Sequence, residues 1–170
     1  MKTLFFIIMI SYTGFSQIIC NEMIVNNDEV AEITKIKSKD LVYDNMTVNI
    51  ESGVRKSYYP KVTFKLKNVC FDEGNKLIIV FSNGEKLTIF NRLYGFNCNG
   101  ITGFIVNNES YKKKLINNQI TIIRVYYNDT NENFYEVKLT LLQSDELLKT
   151  FQCAINRSWE SEIKYKNTGW

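Results

Sequence analysis

The chain contains no histidine. That absence removes Ser-His-Asp and Cys-His catalysis and the usual His-bearing zinc sites, since each needs an imidazole to carry a proton or a metal bond. No Cys-x-x-Cys pair occurs, so neither a redox motif nor a zinc knuckle is indicated. No glycine-rich phosphate loop is present. Proline is nearly missing too: the single Pro60 stands at the entrance of a predicted strand, where a lost N–H is tolerated. Charge of one sign is also scarce. The formal net charge is +3, too small to argue for nucleic acid or an acidic membrane surface.

Long apolar runs are confined to the first residues, and even there the run is short. Lys2 gives a basic start, residues 4–10 (LFFIIMI) are apolar throughout, and Gly14 and Ser16 supply small residues at −3 and −1. This is the layout of a cleavable secretory signal over residues 1–16, with Gln17 as the new N-terminus. Seven apolar residues fall well short of the roughly 20 needed to span a bilayer. A lipoprotein reading would acylate Cys20, but Ile19 before it is large and β-branched where a lipobox wants a small residue. No later segment is apolar enough for a transmembrane helix, so the expected location is secreted or periplasmic. Cleavage removes only Lys2 among the charges, leaving +2 from +3.

What remains, about 154 residues, is the size of one domain. With 45% hydrophobic and 14% aromatic residues it can bury a substantial core. Four cysteines, Cys20, Cys70, Cys98 and Cys153, make disulfides the default in an exported chain, with three connectivities open. The expected organisation is a loose leader over residues 17–29, one domain over residues 30–156, and a tail over residues 157–170 without clear period.

Within the domain the dominant period is two. Residues 28–39 are ambiguous: an acidic start and basic end suit a helix dipole, while Ile33, Thr34 and Ile36 suit a strand. Met46, Val48 and Ile50 alternate with Thr47 and Asn49 until Glu51-Ser52-Gly53 breaks the run. Val62, Phe64 and Leu66 alternate with Thr63, Lys65 and Lys67, as in a strand with one wet face. Residues 77–90 form a hairpin around Asn83-Gly84. A two-residue type I′ loop there sets Val80 against Leu87 and Ile78 against Ile89. Asn107 or Asn108 can cap a short helix to residue 117. Residues 120–127 are apolar on nearly both faces, like an interior strand. After the polar turn 128–133 (NDTNEN), Tyr135, Val137, Leu139 and Leu141 alternate with polar residues. Ser144 can cap a last helix with the stripe Leu147, Leu148, Phe151, Ala154 and Ile155. Cys153 points almost opposite that stripe, so its bridging requires either something to cover the outer side of the helix or a helix that ends before it.

Few residues stand out as chemistry. The carboxylates, mainly Asp44, Asp72, Glu73, Asp129, Glu132, Asp145 and Glu146, fall in turns or at helix starts, where acidic residues are expected anyway. Residues 129–133 imitate the start of a calcium loop, but Phe134 stands where glycine is needed and Thr140 where the bidentate Glu belongs. Lys112, Lys113 and Lys114 complement a helix C-terminus. Arg124 shares a strand face with Ile120, Ile122 and Tyr126 and needs a partner, either a structural ion pair or a bound anion. Sequons at Asn45, Asn108, Asn128 and Asn156 matter only in a eukaryotic secretory pathway. Residues 91–100 are longer than a hairpin turn needs and carry Arg92, Tyr94, Phe96 and Cys98. Cys98 is expected to pair with Cys153, pinning this segment against the last helix.

A signal ending in FSQ, the run LIIVFSNGEKLTI, then ITIIRVYY after a short helix, and a Cys-bearing C-terminal helix together resemble small exported proteins of unknown function from Bacteroidota. The resemblance spans residues 62–155, most visibly at 120–124 and 151–154. It implies a bacterial envelope or secreted protein with a mainly antiparallel fold, and carries over no catalytic residue, cofactor or ligand. The fold expected is α+β: a curved antiparallel sheet of about six to eight strands, a short helix, and a C-terminal helix packed on one face. The function expected is a non-catalytic exported module binding a protein or cell-envelope component, with Arg92, Tyr94, Phe96 and Arg124 as binding candidates and no cofactor. The alternatives are a carboxylate-based hydrolase of envelope polysaccharide and a secreted hydrolase inhibitor using residues 91–100.

Overall fold

Strand signals of period two are realised in the computed structural model, which has ten strands and two helices among the described residues. It describes residues 20, 23–28, 33–53, 59–72, 74–91, 96–127 and 133–167, with side chains to residue 156 in the last helix. The signal segment, residues 92–95 and the calcium-like residues 129–132 lie outside this set.

The first sheet is antiparallel, in the order β1 (Met23–Asp28), β2 (Ile33–Ser38), β4 (Met46–Gly53), β5 (Lys61–Leu66), β8 (Ile101–Ile105), with the short β3 (Leu41–Tyr43) also on β4. Two expectations change here. Met23–Asp28 is not loose leader, because it pairs along its whole length with β2, from Met23 opposite Ser38 to Asp28 opposite Ile33. That pairing also settles residues 33–38 as strand. Nor does Glu51-Ser52-Gly53 end β4. These residues pair with Lys37, Ile36 and Lys35 of β2, while the start of β4 takes β3 on the same edge. A small residue is what the packing requires at position 52, which is fully buried.

The second sheet runs β10 (Phe134–Lys138), β9 (Ile120–Tyr126), β6 (Lys76–Phe81), β7 (Lys86–Phe90). β9 is the interior strand its composition predicts. The β6–β7 hairpin is real, but its register is one residue away from a two-residue loop. Gly84 N donates to Phe81 O (3.0 Å) and Phe81 N to Glu85 O (2.9 Å), closing a three-residue loop, Ser82 to Gly84. Only Gly84 there has positive φ, at 82°, as in a type I turn followed by a glycine bulge. Ile79 therefore faces Leu87 and Leu77 faces Ile89, while Val80 faces Lys86 and Ile78 faces Thr88.

Side chains from both sheets meet in one core: Tyr43, Met46, Val48, Phe64 and Phe104 from the first, Leu77, Ile79, Phe81, Ile123 and Val125 from the second. Each such burial contributes about 1.5–3 kcal/mol, which accounts for the inward alternation along β5 and β6 and most of β4. Helix α1 (Glu109–Asn117) is capped by Asn108, whose side chain accepts from Ser110 N at 2.8 Å. Helix α2 (Leu141–Asn167) starts earlier and ends later than its apolar stripe predicts. Its start is a capping box: Thr140 Oγ1 accepts from Gln143 N (3.3 Å), and Gln143 Oε1 accepts from Thr140 N (2.9 Å). Ser144 is thus inside the helix and buried, not its cap. No proline or glycine interrupts residues 141–167, so the expected irregular tail continues as helix to Asn167. Leu147, Phe151, Ala154 and Ile155 enter the core as expected, and α2 lies against both sheets and α1.

Candidate functional site

Two places answer to the residues singled out from the sequence. The first is the corner after β7. Cys98 is bridged to Cys70, not to Cys153, which pairs instead with Cys20. Cys20 is therefore what meets Cys153 on α2, and Cys153 is buried. Cys70 and Cys98 are brought together by a small bridge between Phe71 and Asn97, with Phe71 N donating to Asn97 O (2.7 Å) and Asn97 N to Phe71 O (2.9 Å). The fully buried Phe71 anchors that bridge in the core.

Gly100 ends the corner at φ 73°. A Cβ there would lie 1.9 Å from the carbonyl oxygen of Leu66, whose N–H donates to Gly100 O at 2.8 Å. The glycine thus serves close backbone approach, not a ligand. Phe96 stands out from this pinned segment at 70% exposure. Its expected companions Arg92 and Tyr94 lie outside the described residues.

The second place is the outer face of the second sheet. Leu77, Ile79, Leu87, Ile89, Ile123, Val125 and Val137 point into the core, so their neighbours in sequence point away from it. Pairing then sorts the outward residues into rows across the strands. One row is Phe134, Tyr126, Lys76 and Phe90; the next is Glu136, Arg124, Ile78 and Thr88; the third is Lys138, Ile122, Val80 and Lys86. Arg124 sits directly opposite Glu136 on β10, and its Nε donates to Glu136 Oε2 at 2.7 Å, with Nη2 on the same oxygen. Nη1 donates to the Tyr126 hydroxyl (3.3 Å), and the guanidinium lies 4.2 Å from the centre of the Phe134 ring. These hydrogen bonds, to Tyr126 first and Glu136 next, raise the Arg124 pKa above its ordinary value.

The structural ion pair is thus the role Arg124 takes, rather than that of an open anion anchor. Both partners are partly exposed, at 35% and 21%, so the pair is worth about 1 kcal/mol at most. Lys76 Nζ lies 4.2 Å from the Tyr126 ring centre, and Tyr126 and Phe134 rings are 5.4 Å apart. The result is a packed cation–aromatic cluster beside half-exposed Ile78, Val80 and Ile122. Arg124 was legible in the sequence; the surrounding rows were not, because they exist only once four strands are in register.

The remaining charged groups are distributed. Asp145 pairs with Lys149 (2.7 Å), Glu146 with Lys39 (3.3 Å), Glu109 with Lys112 (2.8 Å) and Glu85 with Lys114 (3.1 Å). Asp44 occupies the β3–β4 turn at φ 52°. Among the described residues no group of three or more potential metal ligands is gathered. A cavity of about 230 Å³ opens where β7, β8 and α1 meet, lined by Ile89, Phe90, Ile105, Asn107 and Tyr111. No described helix is long and apolar enough to cross a membrane.

Fold and bonding define a disulfide-linked α+β protein of two antiparallel sheets. Comparison with protein-family models, curated proteins and solved structures finds no match to this chain.

Proposed function

We propose that this protein is an exported, non-catalytic module that binds a protein or cell-envelope component, of the kind found among small exported Bacteroidota proteins. The observation that carries the reading is the outer face of the second sheet. It presents aliphatic and aromatic side chains interspersed with four cations, with Phe90 at 58% and Phe134 at 40% exposure. Exposed apolar surface with a polar rim is how binding surfaces differ from ordinary ones. The signal-like first 16 residues and the two disulfides support export.

A carboxylate hydrolase would instead need two carboxyl groups about 5–10 Å apart in one cleft. The ion pairs of Asp145, Glu146, Glu109 and Glu85 with lysines favour the non-catalytic reading. The test is to express the full chain in a bacterial host and recover it from the periplasm or medium. A mature start at Gln17, both disulfides, and saturable retention of an envelope fraction are expected. Cytoplasmic retention, or turnover of a polysaccharide abolished by an acidic-residue substitution, would refute the reading.

An inhibitor reading is favoured by one observation, the exposed Phe96 on the segment pinned by Cys70–Cys98. It requires that Phe96→Ala relieve inhibition of a periplasmic hydrolase, and fails if no such enzyme is inhibited.

A further inference from the structure

The outer sheet face has a charge and a shape that together specify its partner. Its twelve outward positions hold four cations (Lys76, Lys86, Arg124, Lys138) and one carboxylate (Glu136). The excess is three positive charges.

Within that face, Lys76 and Arg124 are engaged with Tyr126, Phe134 and Glu136. Lys86 and Lys138 are exposed and make no ion pair among the described residues. They stand at opposite ends of one row, three strand spacings or about 14 Å apart, with Val80 and Ile122 between them.

We infer that this face is a docking surface for an acidic protein, one that sets carboxylates against Lys86 and Lys138 around an apolar centre seated on Val80, Ile122 and Ile78. The inference rests on the binding-module reading and names the partner's chemistry. Charge complementarity fixes the sign. The centre of the face separates a protein from an anionic polysaccharide: a sugar brings hydroxyls that need hydrogen-bonding partners. Here the row between the two lysines offers only hydrocarbon, and the neighbouring row one free hydroxyl group type, Thr88. An apolar centre inside a polar rim is instead the pattern of a protein–protein contact. Four strands by six residues give an area on the order of 400 Å², about half of what each partner contributes to a standard stable interface. The contact is consequently weak and electrostatically steered, with affinity that falls as salt rises.

The test uses the mature, disulfide-intact protein labelled with ¹⁵N and three probes of equal length: a peptide alternating Glu and Val, its Lys-Val counterpart, and an oligogalacturonate. The expected result is that the Glu-Val peptide shifts the amides of Ile78, Val80, Lys86, Ile122 and Lys138, and that the Lys-Val peptide does not. Its affinity should fall at least tenfold in Lys86→Glu/Lys138→Glu and severalfold in the near-isosteric Val80→Thr, both with unchanged circular dichroism. Shifts centred elsewhere, no binding, or less than a twofold effect of charge reversal would overturn the inference. Tighter binding of oligogalacturonate at the same residues would overturn it in favour of a glycan. If the charge-reversed variant still retains the envelope fraction as the wild type does, this face is wrong while the binding module stands. If the wild type retains nothing, the binding-module reading itself falls.

Discussion

Gly84 and Gly100 allow a paired test of what the glycines around the β6–β7 hairpin and the following corner are for. Both have positive φ, at 82° and 73°. An alanine at either position meets the same left-handed backbone penalty, about 1–2 kcal/mol. The surroundings differ. Around Gly84 nothing lies within 4 Å of an added Cβ, whereas at Gly100 the Leu66 carbonyl oxygen would be 1.9 Å away. Ordinary contact is about 3.5 Å, so the backbones must separate by roughly 1.5 Å. That movement breaks the hydrogen bond from Leu66 N to Gly100 O, worth about 1 kcal/mol, and prises open the end of the β5–β8 pairing. Cys98, two residues upstream, is tied to Cys70, so the corner has little freedom to yield. Gly84→Ala is expected to cost about 1–2 kcal/mol and Gly100→Ala about 2–3 kcal/mol. Urea unfolding of the two variants with equal m values measures the difference. If the two costs agree within about 0.5 kcal/mol, the close approach at Gly100 is not what demands glycine there.

Cys20–Cys153 closes 133 residues and Cys70–Cys98 closes 28; in the chain-entropy picture their removal costs about 5 and about 3.5 kcal/mol. Double alanine variants compared by denaturation should keep that order, and peptide mapping of the oxidised protein should recover these two pairs. The Tyr43 hydroxyl is buried without a hydrogen-bond partner, and burial, aided by the Glu146 charge, holds its pKa above the ordinary value of 10. Above pH 10 the unfolded hydroxyl loses its proton while the folded one keeps it, so stability should fall by up to about 1.4 kcal/mol per pH unit. Tyr43→Phe should abolish that part of the alkaline loss and hold or raise stability at neutral pH; an unchanged alkaline slope would refute the burial argument. Thr140→Ala removes half of a capping box and should cost about 1 kcal/mol, whereas Ser144→Ala, whose hydroxyl makes no hydrogen bond, should cost less; the reverse order in thermal melts would restore Ser144 as the cap.

What could be read ahead of the structure was whatever depends on local alternation. Val62, Phe64 and Leu66 face inward as their spacing requires, and so does the helical stripe Leu147, Phe151, Ala154 and Ile155. Asn108 caps α1 because its neighbours carry an ordinary start signal. The errors are of two physical kinds. Some signals were present but outranked: Thr140-x-x-Gln143 is a capping box in plain sight, yet the exposed Leu141 and Leu142 between its members resemble strand continuation. Other facts have no local trace at all. Which cysteines meet depends on Phe71 pairing with Asn97 and on residue 20 reaching α2, both long-range events. Residues 23–28 become a strand only because β2 offers them an edge.

The hairpin register shows how far one backbone angle reaches into function. A two-residue loop at Asn83-Gly84 needs positive φ at both positions, but only Gly84 has it. The chain therefore spends one more residue in the turn, and every cross-strand partner of β6 moves by one along β7. Residues 77–81 are apolar throughout, so β6 alone does not choose its buried face; the register with β7 decides it, burying Leu77, Ile79 and Phe81. In the expected register Val80 would lie against Leu87 and Ile78 against Ile89, sealing apolar pairs on one face. In the observed register Val80 lies against Lys86 and Ile78 against Thr88, while Leu87 and Ile89 join the core. An aliphatic centre is thereby left beside a lysine at the sheet edge, and β9 and β10 complete the row with Ile122 and Lys138. The placing of Lys86 beside Val80 on the face that carries the functional reading is in this sense a consequence of Asn83 staying out of the left-handed region. Asn83→Gly keeps the length of the chain and admits positive φ at both positions 83 and 84, so it should favour the two-residue loop and the other register, and with it a measurable loss of the Glu-Val peptide contact.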